Sequence, residues 1–442
     1  MKLRLLVLAL GFASAPLALA EDLLQIYREA QKQDAAVAAA RATWQATQEK
    51  LVQGRSGLLP NVGLSGNLTQ TNFDSRLKSD PPLDTGRSYH SQGLTLSATQ
   101  PLYRMQNFVA YDQAKQQVTQ ADWILGAAEQ DLLLRVAQAY FDVLLANDSV
   151  SLAAAQKAAV GQQLAQARRN FEVGTATITD TNEAQAKYDQ IVAQEIAAQN
   201  DLEIKHRALQ SIIGRFPKSL SPLGPKLELK TPEPAVMDEW VARAEKSGYA
   251  VRISEATFEI AKLEVDRNRA GHHPTLDLVA SYNDTRSSAS SASSFGSNSQ
   301  TGQISLQLAI PLYAGGALSS KVREAAANLE KSRQDLEGSR RSATLSARQA
   351  FLGVTNGIAQ VKALQQALVS ADTALASSKV GMEVGVRTNV DVLNAQQQVY
   401  QVRRDLAAAT YNYLMNLLRL KAAVGDLREA DLEQFNRYLA AN

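Results

Sequence analysis

The chain has 442 residues, with 46 basic and 44 acidic side chains, four histidines and no cysteine. The absence of cysteine excludes disulfides, a thiol nucleophile, thiolate-bound metal and an acylated cysteine at the start of a processed chain. A charge this close to neutral gives no reason to expect nucleic acid as a partner.

The chain opens on Met1-Lys2-Leu3-Arg4, runs through an apolar stretch from Leu5 to Ala13 and reaches Ala18-Leu19-Ala20. A basic start, a short apolar middle and an A-x-A end predict a cleavable secretory signal over 1–20, with Glu21 as the first mature residue. That segment holds Lys2 and Arg4 and no acid, so the mature chain is left with 44 charges of each sign. Past residue 20 no apolar run reaches the roughly 20 residues of a membrane-crossing helix. An exported protein of this kind is either soluble or crosses a membrane as a β-barrel.

After a first helix, two strand-like segments fall within about 58–104. Val62, Leu64, Gly66 and Leu68 alternate with Asn61, Gly63, Ser65 and Asn67, and Leu94, Leu96 and Ala98 alternate with Thr95, Ser97 and Thr99. Period-two patterning gives a sheet with one apolar and one polar face, which suits both a soluble sandwich and a transmembrane barrel. From Met105 to Asn170 there is no proline, and glycine occurs only at Gly126 and Gly161. A helix of such length spans about 100 Å at 1.5 Å per residue, so the long helices over 105–213 must lie side by side as a coiled coil or tube. Alanines at 137, 139, 146, 153–155, 158, 159, 165 and 167, and at 184, 186, 193, 197 and 198, are the expected close-packing positions. The turn between these helices is Val173-Gly174-Thr175-Ala176-Thr177, with Thr179 or Asp180 as capping groups of the returning helix.

A Pro-rich stretch from Phe216 to Pro234 and a short helix over Met237–Lys246 then lead into a second copy of the same order. Gln100-Pro101-Leu102-Tyr103 returns as Ile310-Pro311-Leu312-Tyr313, 210 residues on. Phe171-Glu172-Val173-Gly174 returns as Met382-Glu383-Val384-Gly385, 211 residues on. The repeat predicts a duplicated half rather than a solenoid unit. The halves are 21–213 and 250–425, separated by an inter-repeat segment at 214–249 and followed by a tail at 426–442. Strands of the second copy lie within about 274–313, with a Ser-rich, solvated loop over 285–301, and its long helices lie within 317–425. Asn389 or Asp391 caps the second returning helix.

Enzyme signatures are missing. His272-His273-Pro274 lacks metal-ligand spacing, and there is no nucleophile elbow or phosphate-binding loop. The chain is read as a non-enzyme without cofactor or metal. A soluble periplasmic coiled-coil adaptor or structural protein is the alternative that the helices alone leave open.

The segment Val384-Gly385-Val386-Arg387-Thr388-Asn389-Val390-Asp391-Val392-Leu393-Asn394-Ala395 resembles the helix-turn-helix tip of the TolC family. So do Tyr411-Asn412-Tyr413-Leu414 and Lys421-Ala422-Ala423-Val424-Gly425, and in the first copy Val173-Gly174 with Ile178-Thr179-Asp180. The resemblance implies an α+β membrane protein. Three protomers would give four strands each to one 12-stranded transmembrane β-barrel, continued by a long periplasmic α-helical barrel with a mixed equatorial domain. It implies an outer-membrane exit duct for small molecules or proteins in a tripartite efflux or type I secretion system. Its partners would be two further copies, a periplasmic adaptor, an inner-membrane RND, ABC or MFS transporter, and outer-membrane lipid.

It further implies a gate. Arg387 matches the family's gate arginine, and Thr179 and Asp180 match its partners on the neighbouring tip. Asp391 matches the first aspartate of the pore constriction. The second constriction aspartate is replaced by Asn394, and the family's tip tyrosine by Met382. Gly174, Thr175, Gly385 and Val386 lie where an adaptor would meet the tips. An exposed Arg–Asp contact is directional but worth only about 1 kcal/mol or less, so a pull from a partner can break it.

Overall fold

The computed structural model describes residues 20–224 and 227–439. All of the predicted signal segment except Ala20 lies outside the described residues.

The first half runs α1 (Leu23–Gln33), α2 (Ala35–Ser56), β1 (Asn61–Leu77), β2 (Leu83–Tyr103), α3 (Met105–Glu172) and α4 (Ile178–Ile213). The second runs α5 (Met237–Ser247), α6 (Tyr249–Arg269), β3 (Thr275–Ser287), β4 (Ser297–Ala309), α7 (Ala317–Glu383) and α8 (Asn389–Ala423), and α9 (Glu429–Asn436) closes the chain. The short helix α5, placed by the sequence in the inter-repeat segment, occupies the position of α1, 214 residues earlier. The equivalence is hidden at the joints. α1 passes into α2 at Asp34, whose carboxylate accepts from the Val37 amide at 2.9 Å, whereas α5 passes into α6 at Gly248.

By internal contacts the chain divides into two units, one of residues within 1–39, 127–248 and 343–442, the other within 40–126 and 249–342. The second unit holds one antiparallel sheet in the order β1-β2-β3-β4. Pro60 and Pro274 precede its first and third strands. Single-residue Arg104 joins β2 to α3, while Gly315 and Gly316, at φ of 60° and 83°, turn the chain from β4 toward α7. Residues of one face stand in register across the strands. Leu64 pairs with Leu96, Leu96 with Tyr282, and Leu278 and Ala280 with Leu306 and Ile304. That face is apolar yet open, with Leu68 85% and Ile304 78% exposed. On the other face Thr95 Oγ1 donates to Asn283 Oδ1 at 2.9 Å, and Arg104 grips Asp277 with two hydrogen bonds of 2.8 and 2.6 Å. Within the chain β1 and β4 pair on one side only.

The first unit is helical around a core that includes Leu23 and Ile26 of α1, Leu132, Val136 and Tyr140 of α3, Leu209 of α4, Trp240 of α5, Val354 of α7, and Tyr413, Leu414 and Leu418 of α8. The Pro-rich segment is stitched onto this core through its backbone. Tyr140 Oη donates to the Ser221 carbonyl at 2.9 Å, Tyr413 Oη donates to the Lys230 carbonyl at 2.9 Å and accepts from its amide at 2.8 Å, and Leu223 bridges to Leu439 in the C-terminal tail. Farther along α3 and α4 the seam narrows to Val160, Leu164, Ala167, Ala184 and Ile191, joined by Leu393 of α8. Gly161 lies against the Tyr188 ring there. Of the alanines expected to pack, Ala137, Ala146, Ala167 and Ala184 are buried, while Ala154, Ala155, Ala158 and Ala165 stay exposed in the single chain. A helix offers one seam position every three or four residues, so a run of alanines cannot all share one interface.

Candidate functional site: the paired helical turns

The two turns that end α3 and α7 are built alike. Each outgoing helix closes on a glycine in the left-handed region, Gly174 at φ 76° and Gly385 at φ 78°. No atom beyond their chain neighbours lies near either, so backbone freedom rather than lack of space selects glycine. The amides of Thr175 and Ala176 return to the Asn170 carbonyl at 2.8 and 3.2 Å, and those of Val386 and Arg387 return to the Gly381 carbonyl at 2.9 and 3.1 Å.

Each returning helix then starts with a capping box. The Asp180 amide donates to Thr177 Oγ1 at 3.2 Å, and Asp180 Oδ2 accepts from the Thr177 amide and hydroxyl at 3.0 and 2.8 Å. Asp391 repeats this with Thr388, at 3.2, 2.9 and 2.9 Å. The caps are therefore Thr177 and Thr388, two or three residues earlier on the chain than Thr179, Asp180 and Asp391 and directly before Asn389. The signal was present in the sequence as T-x-x-D in both copies. The Thr388 hydrogen bonds, with the positive charge of Arg387 as a lesser cause, hold the Asp391 carboxyl below the usual carboxylate range.

Capping occupies one oxygen of Asp391. Toward the other, Oδ1, Arg387 Nη1 stands at 3.9 Å, with the two side chains 59% and 38% exposed. That is too long for a hydrogen bond. Within the chain, no hydrogen bond or ion pair among the described residues joins Arg387 to Thr179 or Asp180. Thr179 is exposed and Asp180 half-buried. Asn394, one turn along α8 from Asp391, is exposed, and Met382 is half-buried. Val173, Val384 and Val386 are 72%, 67% and 75% exposed, while Thr175 turns its hydroxyl to the Asn170 carbonyl at 3.0 Å. Between the hairpins, Lys187 of α4 donates to Gln397 of α8 at 3.0 Å, and Leu393 enters the α3/α4 seam.

One contact at this turn escapes sequence reasoning. A Cβ on Gly381 would stand 2.7 Å from Arg387 Cγ, so the stem of Arg387 lies in the space that this glycine leaves. In the first copy the matching pair, 211 residues earlier, is Asn170 and Ala176. The bulk sits on the helix in one turn and on the loop in the other.

The model of the outer membrane efflux protein family matches residues 26–215 and again 240–426, one match for each half. The chain belongs to the outer membrane efflux protein family. It is 32% identical over 418 residues to "Outer membrane protein TolC" of Vibrio cholerae, covering 94% of this chain and 93% of that one. It is also 32% identical to "Alkaline protease secretion protein AprF" of Pseudomonas aeruginosa, covering 94% and 87%. Among solved structures, the outer membrane protein VceC of Vibrio cholerae superposes with a TM-score of 0.78 at 20% identity, over 91% and 96% of the two chains. As a member of this family the chain is an outer-membrane exit duct with a periplasmic helical extension.

Proposed function

We propose that three copies assemble so that β1 of each protomer pairs with β4 of the next, giving one 12-stranded barrel above a shared helical tunnel whose periplasmic end is closed by the two kinds of turn. The single observation that carries this reading is the state of Arg387. Its stem is seated on Gly381, its side chain is 59% exposed, and its charged partner among the described residues, Asp391, is 3.9 Å away. A fork of five donors left this free is suited to grip Thr179 and Asp180 of a neighbouring tip. Three Asp391 carboxylates brought to one axis would form a cation-attracting ring. With Asn394 neutral, that ring is weaker than one of two aspartates per protomer, so block by multivalent cations is weaker too.

The duct exports small toxic compounds, proteins or both, and it carries out no chemistry of its own. Relatives named for protease secretion favour a type I route beside drug efflux. Energy comes from an inner-membrane transporter of the RND, ABC or MFS class, coupled through a periplasmic adaptor. Gly174, Thr175, Gly385 and Val386, with the exposed valines beside them, offer that adaptor a partly apolar tip.

The chain has no cysteine, so introduced thiols report without background. In the double variant Arg387→Cys with Thr179→Cys, mild oxidation is expected to give a covalent trimer on non-reducing gels. Exclusively intrachain links, or none, would contradict the neighbouring-tip contact.

A further inference from the structure

On the apolar, exposed side of the sheet the apolar band ends abruptly. From Val62 to Leu68 it covers six strand steps, roughly 20 Å along the strand. Leu68 pairs with Gln92 and Gln70 with His90, and Gln92 pairs with Arg286. Within two steps the same face changes from leucine and tyrosine to amide, imidazole, carboxylate and guanidinium, with Asp284 paired to Leu94. These side chains line two adjoining grooves of about 580 and 540 Å³ that share Leu68, Gln92 and Arg286. Leu68 and Leu94 wall the grooves toward the band, and Gln70, His90 and Arg286 wall them toward the loops. Arg286 is 57% exposed, and its partner among the described residues is Asp284, at 3.5 Å and on one nitrogen only. Four of its five N–H donors therefore point to no protein acceptor among the described residues. This edge lies at the loop end of the strands, opposite the end that enters the helices, and so in the outer leaflet of the membrane.

We propose that the grooves seat the phosphorylated headgroup of an outer-leaflet glycolipid, with Arg286 as its charged anchor, Gln70, His90 and Gln92 as further donors, and Leu68 and Leu94 holding the first acyl carbons. The proposal rests on the outer-membrane reading. A guanidinium matches a phosphate bidentately, and an apolar wall continuous with a donor wall fits a ligand that is hydrocarbon at one end and phosphate at the other. Asp284 orients the guanidinium through one nitrogen and leaves the rest of the fork open. A cation here also suits a membrane surface of negative potential.

The test uses the purified full-length protein in detergent, titrated with diphosphoryl lipid A, with the same lipid freed of its phosphates, and with diphosphoryl lipid A in the presence of excess inorganic phosphate. Wild type is expected to bind the phosphorylated lipid and to keep it against inorganic phosphate. Arg286→Gln should bind it roughly ten-fold more weakly, and His90→Gln should weaken it less. Arg76→Gln, at the far end of the β1/β2 hairpin where Arg76 pairs with Asp84 at 2.7 Å, should bind as wild type. Equal binding by Arg286→Gln, equal binding of the dephosphorylated lipid, or displacement by inorganic phosphate would each overturn the proposal, the last by revealing a site for soluble anions. Currents in planar bilayers separate this from a failure of the duct reading. Arg286→Gln that conducts fully while binding lipid like wild type removes the headgroup seat alone, whereas no current from any variant removes the duct as well.

Discussion

Arg387 packs over Gly381, its Cγ 2.7 Å from where a Cβ would stand. Alanine at this position removes the backbone freedom of a helical glycine, which by itself adds about 0.5–1 kcal/mol. It also evicts the stem of Arg387. Gly381→Ala is therefore expected to leave thermal stability unchanged or slightly raised while the channel opens more often. The double variant Gly381→Asn with Arg387→Ala, which copies the first turn, should fold as well as wild type and be open. A closed Gly381→Ala channel would show that the glycine does not place the arginine. Melting curves and single-channel records together check both halves.

Thr388 and Thr177 cap α8 and α4 through matching boxes. Replacing a capping threonine by alanine costs about 1 kcal/mol, and here the loss is local. Thr388→Ala should speed amide exchange over residues 389–392 and free Asp391 from two of its hydrogen bonds. Its carboxyl then moves back toward the ordinary range. In wild type the carboxyl lies below that range, so Asp391 stays ionised to lower pH, and cation selectivity should persist into acid and fade sooner in Thr388→Ala. Identical selectivity–pH profiles would place the selective charge elsewhere.

Asp34 caps α2 and takes a bidentate contact from Arg135 at 2.8 and 3.1 Å. The carboxylate side chain is only 6% exposed, while Arg135 is 34% exposed. Arg135→Ala leaves a buried charge with only its backbone cap contacts, a loss of roughly 3 kcal/mol for a partner that is itself partly solvated. The hydrogen bond from Arg135 is the main cause holding the Asp34 carboxyl below its ordinary value. A depressed carboxylate contributes stability that is present above its unfolded pKa and is lost as pH falls through the folded one. Denaturation midpoints should therefore drop below about pH 4 in wild type and change less with acid in Arg135→Ala.

Asp148 shows the opposite sign. It accepts from Tyr411 Oη at 2.9 Å, yet burial pushes its carboxyl up. A raised carboxyl weakens the fold above its folded pKa and relieves it as pH falls. Asp148→Asn keeps an acceptor for Tyr411 and removes the desolvated charge. It should stabilise the protein at neutral pH, on the order of 1 kcal/mol for a hydrogen bond kept without its buried charge, and the advantage should shrink in acid. A destabilised variant at neutral pH would mean that the charge is used.

Much of the fold is legible in the sequence because its signals are local. Alternation over Val62–Leu68 and Ile304–Leu308 gave the strands and their outward face, and the proline-free runs gave α3 and α7. Each hairpin turn was marked by one glycine that needs φ above zero. The position of α5 was hidden because Asp34 and Gly248 solve the same joint with different chemistry. The candidate site was half legible. Arg387 and Asp391 stand out as charges at a turn, but the partnership of Gly381 with Arg387 depends on how the chain folds back across six residues, and no periodicity reports that. Arg286 and His90 are likewise ordinary in sequence. Only the register, which sets them beside Gln92 and Leu68 at the end of the apolar band, gives them a joint meaning.

The claim that this chain is a duct gated at its tips is tested most directly by the conductance of the purified mature protein in a planar lipid bilayer, wild type beside Arg387→Ser. Small, cation-selective currents that grow several-fold in the variant are predicted, since each tip then loses the guanidinium fork proposed to grip its neighbour. Currents unchanged by the substitution would contradict the gate, and no current from either protein would contradict the duct.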